Sequence, residues 1–372
     1  MSSTEKPGLY VHVPFCRTKC PYCDFYSVPS LSAVHDWTEA LCKEAAAYRE
    51  RVSEFGSLYI GGGTPSVLGE SELVMVLETL FKSFDFSSDA EVTFEANPDD
   101  VTGGRLGLLK SLGITRISLG VQSLDEEELR ILGRRHTARQ ARSAIEEIRT
   151  AGFSNLSVDL MYGLPGQSGS KWMSTLQSAL QYTPEHLSCY QLTFHETTRY
   201  GRMLKEGRIS SLPEEEQRRF FLMTAETLER SGYIHYEISN FARGDENISR
   251  HNRKYWRRIP YLGLGPSSHS FWGGIRWWNV SSVARYNESL KSGLLPVEER
   301  ETLTEEQERM EALCLGLRTR EGVDLPLVRT FPGSEKVLAR LENDKLVQIS
   351  SDRMVPTREG FVVADSLPML FL

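Results

Sequence analysis

GLYVHVPFCRTKCPYCDFYS, residues 8–27, is the stretch on which the reading of this chain turns. It begins with a short apolar run, Leu9–Val13, that reads as a β-strand. It then delivers Cys16, Cys20 and Cys23 in the spacing C-x3-C-x2-C. Three thiolates so close together, on a loop leaving a strand, can wrap three irons of a cubane cluster. The fourth iron then has no protein ligand and is open to a small molecule. A structural zinc site is instead closed by four protein ligands. Here a fourth ligand is wanting, because His12 belongs to the preceding strand and the spacing is not that of a zinc ribbon.

Outward from this stretch, short apolar segments alternate with segments of helical period. Strands are predicted at Leu9–Val13, Ser57–Ile60, Glu91–Glu95, Arg116–Leu119, Leu156–Leu160 and Leu187–Leu192. Helices are predicted at Trp37–Arg51, Ser71–Phe81, Thr102–Leu112, Thr137–Ala151, Lys171–Tyr182 and Pro213–Arg230. Strands separated by helices favour a parallel sheet with right-handed crossovers. The expected fold is therefore α/β, a partial (β/α)6 barrel whose active site is built by the loops after the strand C-termini. Chemistry-bearing residues fall in that register: the cysteines follow the first strand and Gly61–Gly63 the second. Glu95 ends the third, Gln122 follows the fourth, and Asp159 lies near the end of the fifth.

Past residue 240 the rhythm changes. Residues 241–300 are rich in Arg, Trp, Tyr, Gly and Ser and show little periodicity. Glu305–Leu317 and Glu335–Asn343 then read as helices, and Leu346–Ile349 with Arg353–Pro356 as a strand pair, the outline of a small winged-helix-like α+β module. The expected division is a core domain over 1–240, a connecting segment over 241–300 and a C-terminal domain over 301–372. Composition sets further bounds. The 372 residues are 40% hydrophobic and 25% charged, enough for a sizeable core. A formal net charge of −7 gives no footprint for nucleic acid. Six cysteines are too few for a disulfide scaffold, and three of them clustered suggest a metal site in a reducing compartment. The N-terminus has no signal-peptide h-region and no apolar run is long enough to span a bilayer. Cytoplasmic is the simplest expectation, with peripheral membrane association left open.

The spacing C-x3-C-x2-C, with Tyr22 just before the last cysteine, resembles the signature of the radical SAM superfamily. That resemblance implies a 4Fe–4S cluster on Cys16, Cys20 and Cys23, with S-adenosylmethionine (SAM) chelating the open iron and an external electron donor for the cluster. GGGTPS, residues 61–66, is similar to the superfamily's SAM-binding glycine motif, although a glycine triplet alone more often marks a tight turn. Glu95 in TFEANP can accept hydrogen bonds from ribose hydroxyls or the cofactor's amino group, or else cap the next helix. Tyr10 is either a cofactor contact or a core tyrosine. Gln122, Arg134 and Asp159, with Gly62, Gly63 and Thr64, resemble the positions that surround a second SAM in oxygen-independent coproporphyrinogen oxidases. Arg134 and Asp159 could equally form an ion pair at the barrel mouth.

Two departures separate the chain from those oxidases. They carry a further cysteine two residues after the third ligand, where this chain has Phe25, and an N-terminal extension ahead of the first strand. Phe25, counted here among the SAM-site residues, is similar to the pattern of the HemW-type heme chaperones. His251–Trp256, HNRKYW, matches that family's HNxxYW motif. A neutral imidazole can ligate heme iron, Tyr255 and Trp256 offer flat apolar surface, and Arg253, Lys254, Arg257 and Arg258 could meet propionates. The alternative treats His251 as a hydrogen-bonded interdomain residue and the basic run as a solvated loop. The resemblance thus implies a chaperone that binds heme and delivers it to acceptor proteins. Coproporphyrinogen III oxidation and another radical SAM activity such as methyl transfer are the other readings. Cys42, Cys189 and Cys314 read as packing residues. His269, in GLGPSSHSF, lies in a loop that could close over the barrel mouth and is more readily structural than a ligand.

Overall fold

The structure, a computed structural model, describes residues 5–49 and 54–372. Six parallel strands carry the front half: β1 (Gly8–Val13), β2 (Phe55–Gly62), β3 (Phe86–Ala96), β4 (Arg116–Gln122), β5 (Leu156–Tyr162) and β6 (His186–Gln191). Each is followed by helical chain, with long helices at Val34–Tyr48, Glu70–Ser83, Gly103–Ser111, Ala138–Thr150, Gly169–Leu180 and Glu214–Arg230. The expected elements are recovered to within a few residues at their ends. The predicted end of the first helix, 50–51, lies outside the described residues.

Alternation along these strands decides what faces what. Leu9, Val11 and Val13 of β1 are fully buried and join Leu58, Phe94, Leu119 and Leu160 in one core with Trp37, Leu77, Ile145 and Trp172 of the helices. The intervening residues turn the other way and are polar: Tyr10, Tyr59, Glu95, Ser118, Asp159 and Ser188. The barrel interior is therefore lined by hydrogen-bonding side chains, and the apolar core lies between sheet and helices. Local sequence fixes the helix starts. Thr137 accepts from the Gln140 amide at 3.2 Å while Gln140 Oε1 accepts from the Thr137 amide at 2.9 Å, a capping box that begins Ala138–Thr150.

The sheet does not stop at six strands. After β6 come β7 (Ile234–Glu237), β8 (Asn240–Ala242), β9 (Tyr261–Leu264), β10 (His269–Trp272), β11 (Ile275–Asn279) and β12 (Val297–Thr302). The order is β12-β11-β10-β9-β1-β2-β3-β4-β5-β6-β8-β7. β9 runs parallel to β1, Gly8 beside Tyr261, and β10–β12 continue antiparallel from it. Residues 241–300, in which the sequence shows little periodicity, thus hold four strands and the helices Arg250–Trp256 and Val283–Lys291. They escape a periodicity search because the strands have four to six residues and the first helix seven. Aromatic residues also stand on both faces of β11, where Trp277 and Trp278 are neighbours. The short helices Glu126–Ile131 and Arg199–Lys205 are missed for the same reason.

β13 (Val323–Asp324), β14 (Val347–Ile349) and β15 (Arg353–Pro356) form a separate antiparallel sheet in the order β13-β15-β14. With the helices Glu305–Gly316 and Ser334–Asn343 it encloses its own core of Leu313, Leu317, Val328, Leu338 and Met354. This module rests against the barrel through Arg258 Nε to Glu311 Oε2 at 3.0 Å, the Arg276–Glu311 and Arg257–Glu321 pairs, and an isolated bridge between Glu237 and Thr319. Among the described residues no helix is long and apolar enough to cross a membrane.

Candidate functional site

The C-terminal ends of β2–β6 and the cysteine loop surround a cavity of about 540 Å³. Cys16, Cys20 and Cys23 all line it, with Phe25, Gly62, Gly63, Thr64, Glu95, Gln122, Arg134 and Asp159. The cysteine loop is pinned at its base by Val28 N to Pro14 O at 2.8 Å and Cys16 N to Val28 O at 3.1 Å. Within it, Cys23 N donates to Cys20 O at 3.1 Å. All three thiols are free. Among the described residues no three Cys, His, Asp or Glu side chains converge closely enough to share one metal ion. A cubane holds its thiolates at separate corners and does not ask for that convergence, so this donor set fits a cluster better than a single zinc. Burial pushes the Cys23 thiol up to about 11, so a metal must displace its proton on binding.

The glycine run lines the cavity and also serves packing. A Cβ at Gly62, where φ is +104°, would stand 2.6 Å from the His12 ring, and one at Gly63 would stand 2.6 Å from Phe15 O. Gly63 N donates to Val13 O at 2.8 Å and Thr64 N to Phe15 O at 2.7 Å. The glycines therefore let β2 press against the cysteine loop, locking the two together, while Thr64 Oγ1 reaches Cys16 Sγ at 3.2 Å. Glu95 caps no helix. It accepts from Tyr59 OH at 2.7 Å and Gly62 N at 3.2 Å. Burial, with help from the nearby Asp159 carboxylate, pushes Glu95 up to about 7 against those bonds.

Arg134 and Asp159 do not pair. Arg134 donates to Gly120 O at 2.8 Å and to Asn97 Oδ1, and its Nη1 lies 3.6 Å from Cys20 Sγ. Asp159 accepts from Ser118 at 3.2 Å and is raised by burial. Gln122, the last residue of β4, stands in the left-handed region, φ +66°, a costly backbone for a residue with a Cβ. Phe25 is 68% exposed at the rim, a large apolar side chain left in solvent. Tyr10 does not line the cavity. Its hydroxyl lies 3.1 Å from His12 Nδ1, and its ring, on the barrel-interior side of β1, lies beside Tyr59 and His251.

The HNRKYW segment lies elsewhere. His251 is buried, its Nδ1 2.9 Å from Ser57 Oγ and its Nε2 2.9 Å from Tyr255 OH, and burial drops its pKa to about 3. Neither ring nitrogen is free for iron in this conformation. The geometry is that of a hydrogen-bonded histidine holding its helix against β2. Tyr255 packs against Tyr261 and His251. Trp256 lines a second cavity of about 230 Å³ with Arg253, Arg257 and Arg258. Most of the cations in the run are engaged: Lys254 with Lys6 O at 2.8 Å, Arg257 with Glu5 at 3.0 Å, Arg258 with Glu311. Sequence reading missed Tyr59, Asn97, Ser118, Tyr190 and His195 of the main cavity. Strand alternation points to Tyr59 and Ser118, which share a face with Glu95 and Asp159. Nothing local in the sequence singles out His195.

A polar-lined barrel with three free cysteines at its mouth defines the class, and the comparisons agree. The sequence model described as "Radical SAM superfamily" matches residues 10–179. The structure of coproporphyrinogen III oxidase (HemN) from Escherichia coli superposes with a TM-score of 0.86, over 99% of this chain and 90% of that one, at 24% identity. That likeness carries the fold. Heme chaperone HemW of Mycobacterium tuberculosis is 34% identical over 367 residues, 97% of this chain and 93% of that protein. HemW of Bacillus subtilis is 34% identical over 379 residues, 98% and 99%. Radical S-adenosyl methionine domain-containing protein 1, mitochondrial, of Danio rerio is 34% identical over 393 residues, 100% and 88%. The chain belongs to the HemW heme chaperone family within the radical SAM superfamily.

Proposed function

We propose that this chain binds heme and hands it to acceptor proteins, with a 4Fe–4S cluster and SAM in a supporting role. The observation that carries the reading is the near full-length likeness to the HemW relatives in a chain that has Phe25, and no fourth cysteine, at the cavity rim. In this reading Cys16, Cys20 and Cys23 hold the cluster, and the walls of the cavity would hold SAM. Glu95 accepts from the cofactor's donors, Thr64 and Arg134 steady the thiolate side, and Gln122 and Asp159 close the far wall. Bound there, cluster and SAM supply one-electron chemistry, fed by an external electron donor. The HNRKYW helix belongs to the proposal as a support: His251 and Tyr255 fasten it beneath the barrel, and Trp256 turns to the smaller cavity. A cytoplasmic setting, with heme-acceptor proteins as partners and a membrane touched at most peripherally, completes the reading.

The test is anaerobic reconstitution followed by parallel assays. The reconstituted protein is expected to hold about four irons and four sulfides, to take up heme and pass it to an acceptor, and to leave coproporphyrinogen III unconsumed. Replacing all three cysteines by Ala should abolish the cluster. Multiple turnovers of coproporphyrinogen III would overturn the chaperone reading in favour of the oxidase. One tightly bound zinc without sulfide would remove its radical SAM basis.

A further inference from the structure

The eight histidines differ sharply in what their rings touch. His12, His186 and His251 have both nitrogens within hydrogen-bond distance of partners. His136 and His235 are buried on carbonyls. His35 and His195 are exposed, and each faces a carboxylate, Glu39 at 3.5 Å and Asp24 at 3.8 Å. His269 is exposed too, yet among the described residues its ring has no hydrogen-bond partner. Its one ring contact is Trp278, its cross-strand neighbour, 5.7 Å away and tilted by 29°. The indole limits how far the imidazole can turn and leaves both nitrogens unspent.

The loop that presents His269 is built with unusual care. Glu44, fully buried in the helix Val34–Tyr48, accepts from Gly265 N at 2.8 Å, Asn279 Nδ2 at 2.6 Å and Tyr286 OH at 2.5 Å. Asn279 Nδ2 also reaches Gly265 O at 3.0 Å, as does Ser268 Oγ at 2.7 Å, and Asn279 N donates to Ser268 O at 3.0 Å. A buried carboxylate is expensive to desolvate, and here the whole network fixes residues 265–268. Ser267 is held at φ +65° and Gly265 at φ +96°, where a Cβ would lie 2.4 Å from His12 O. Because β9 runs parallel to β1, this loop leaves the sheet at the end where the cysteines do. Such rigidity, ending in an imidazole that serves no protein partner, is the preorganisation a metal ligand requires. The partial desolvation of this ring, with the Arg276 guanidinium nearby and Glu301 opposing, lowers the His269 pKa and favours the neutral imidazole that binds iron.

We infer that His269, the first residue of β10, would ligate heme iron, with Trp278 steering its imidazole. The inference rests on the heme-binding function proposed above and assigns the ligand to a residue outside HNRKYW. The probe is ferric heme, titrated into the full-length, cluster-loaded chain and followed by its Soret absorbance and its spin-state signature. His269→Ala should weaken uptake on the order of tenfold or more, as loss of a metal–ligand bond does, and should change the spin state. His269→Gly with free imidazole added should regain the wild-type spectrum, which a merely unfolded variant could not do. His35→Ala, at an exposed ring paired with Glu39, should keep the wild-type spin state, and His195→Ala and His251→Ala are read beside it as the competing ligands. If His269→Ala binds heme with unchanged affinity and spectrum, or if the signature is lost with His195 or His251 instead, the inference is overturned and the chaperone reading stands. If the wild-type chain takes up no heme, both fall.

Discussion

At the scale of single residues, Glu95 shows how the barrel's polar interior couples protonation to binding. Its carboxylate is buried with Tyr59 OH and Gly62 N as donors and sits at about 7. Below that value it is protonated and a poorer acceptor. Above it the anion can take the cofactor's donors, since hydrogen bonds to a charged acceptor are the stronger kind. SAM should therefore bind more tightly as pH rises through about 7, measured by titrating it against the electron-paramagnetic spectrum of the reduced cluster. Glu95→Gln should bind about tenfold or more weakly, the worth of one charge-assisted bond, with little pH dependence and unchanged iron content. A wild-type affinity that stays flat from pH 6 to 8 would show that Glu95 does not touch the cofactor. The residue identities behind this site were legible in the sequence, because chemistry-bearing residues occupy the strand ends in register. The partners were not: that Glu95 bonds Tyr59, or that Arg134 bonds Asn97 and not Asp159, follows from packing between strands distant in sequence.

At the scale of elements, glycines with opposite duties make the clearest contrast. Gly63 is in contact with backbone, its missing Cβ position 2.6 Å from Phe15 O and 2.8 Å from Val13 O. Gly63→Ala should force the cysteine loop away from β2 at about 1–3 kcal/mol, read as a lower melting temperature and faster iron loss from the reconstituted protein. Gly107, in the middle of the helix Gly103–Ser111, has nothing within 4 Å of its Cβ position. Gly107→Ala should stabilise the chain by about 0.5–1 kcal/mol and leave iron content alone. If both substitutions shift stability alike, the packing argument for the cradle fails. The sequence could name both glycines but could not tell them apart, since the difference lies in what has folded against each. The same limit hid β9–β12, whose pattern makes sense only once β1 is known to need a second neighbour.

At the scale of the whole molecule, buried groups pull the pH dependence of stability in opposite directions. Glu44, Glu95 and Glu237 are each pushed up to about 7 by burial, so the folded chain holds their protons where the unfolded chain has released them. Their contribution is complete below the ordinary carboxylate value and is lost as pH rises through about 7. His12, His136 and His235 are lowered by burial to about 4, so theirs is complete above the ordinary histidine value and is lost as pH falls toward 4. The two sets oppose each other between these limits and flatten the net profile, so single groups are best read by difference. The gap in melting temperature between wild type and Glu44→Gln should shift against the wild type as pH goes from 5 to 8. A gap independent of pH would mean that Glu44 is ionised throughout.

One feature of the sheet bears on how the chain comes to be folded. β1 lies near the middle of the sheet, with β2 on one side and β9 on the other. Its first neighbour is close in sequence, but its second arrives only after all of β2–β8 has been made. Contacts this far apart close slowly, because the chain entropy of a long loop must be spent before any pairing repays it. During synthesis the cysteine loop is therefore fastened along one flank while the other stays open until Tyr261–Leu264 has left the ribosome. If Cys16, Cys20 and Cys23 hold the cluster proposed above, iron and sulfide arriving in that interval would meet a loop with one flank open, and arriving later a loop with both flanks paired. Under that proposal, the timing of strand completion, as well as the finished cavity, would bear on when the centre is assembled.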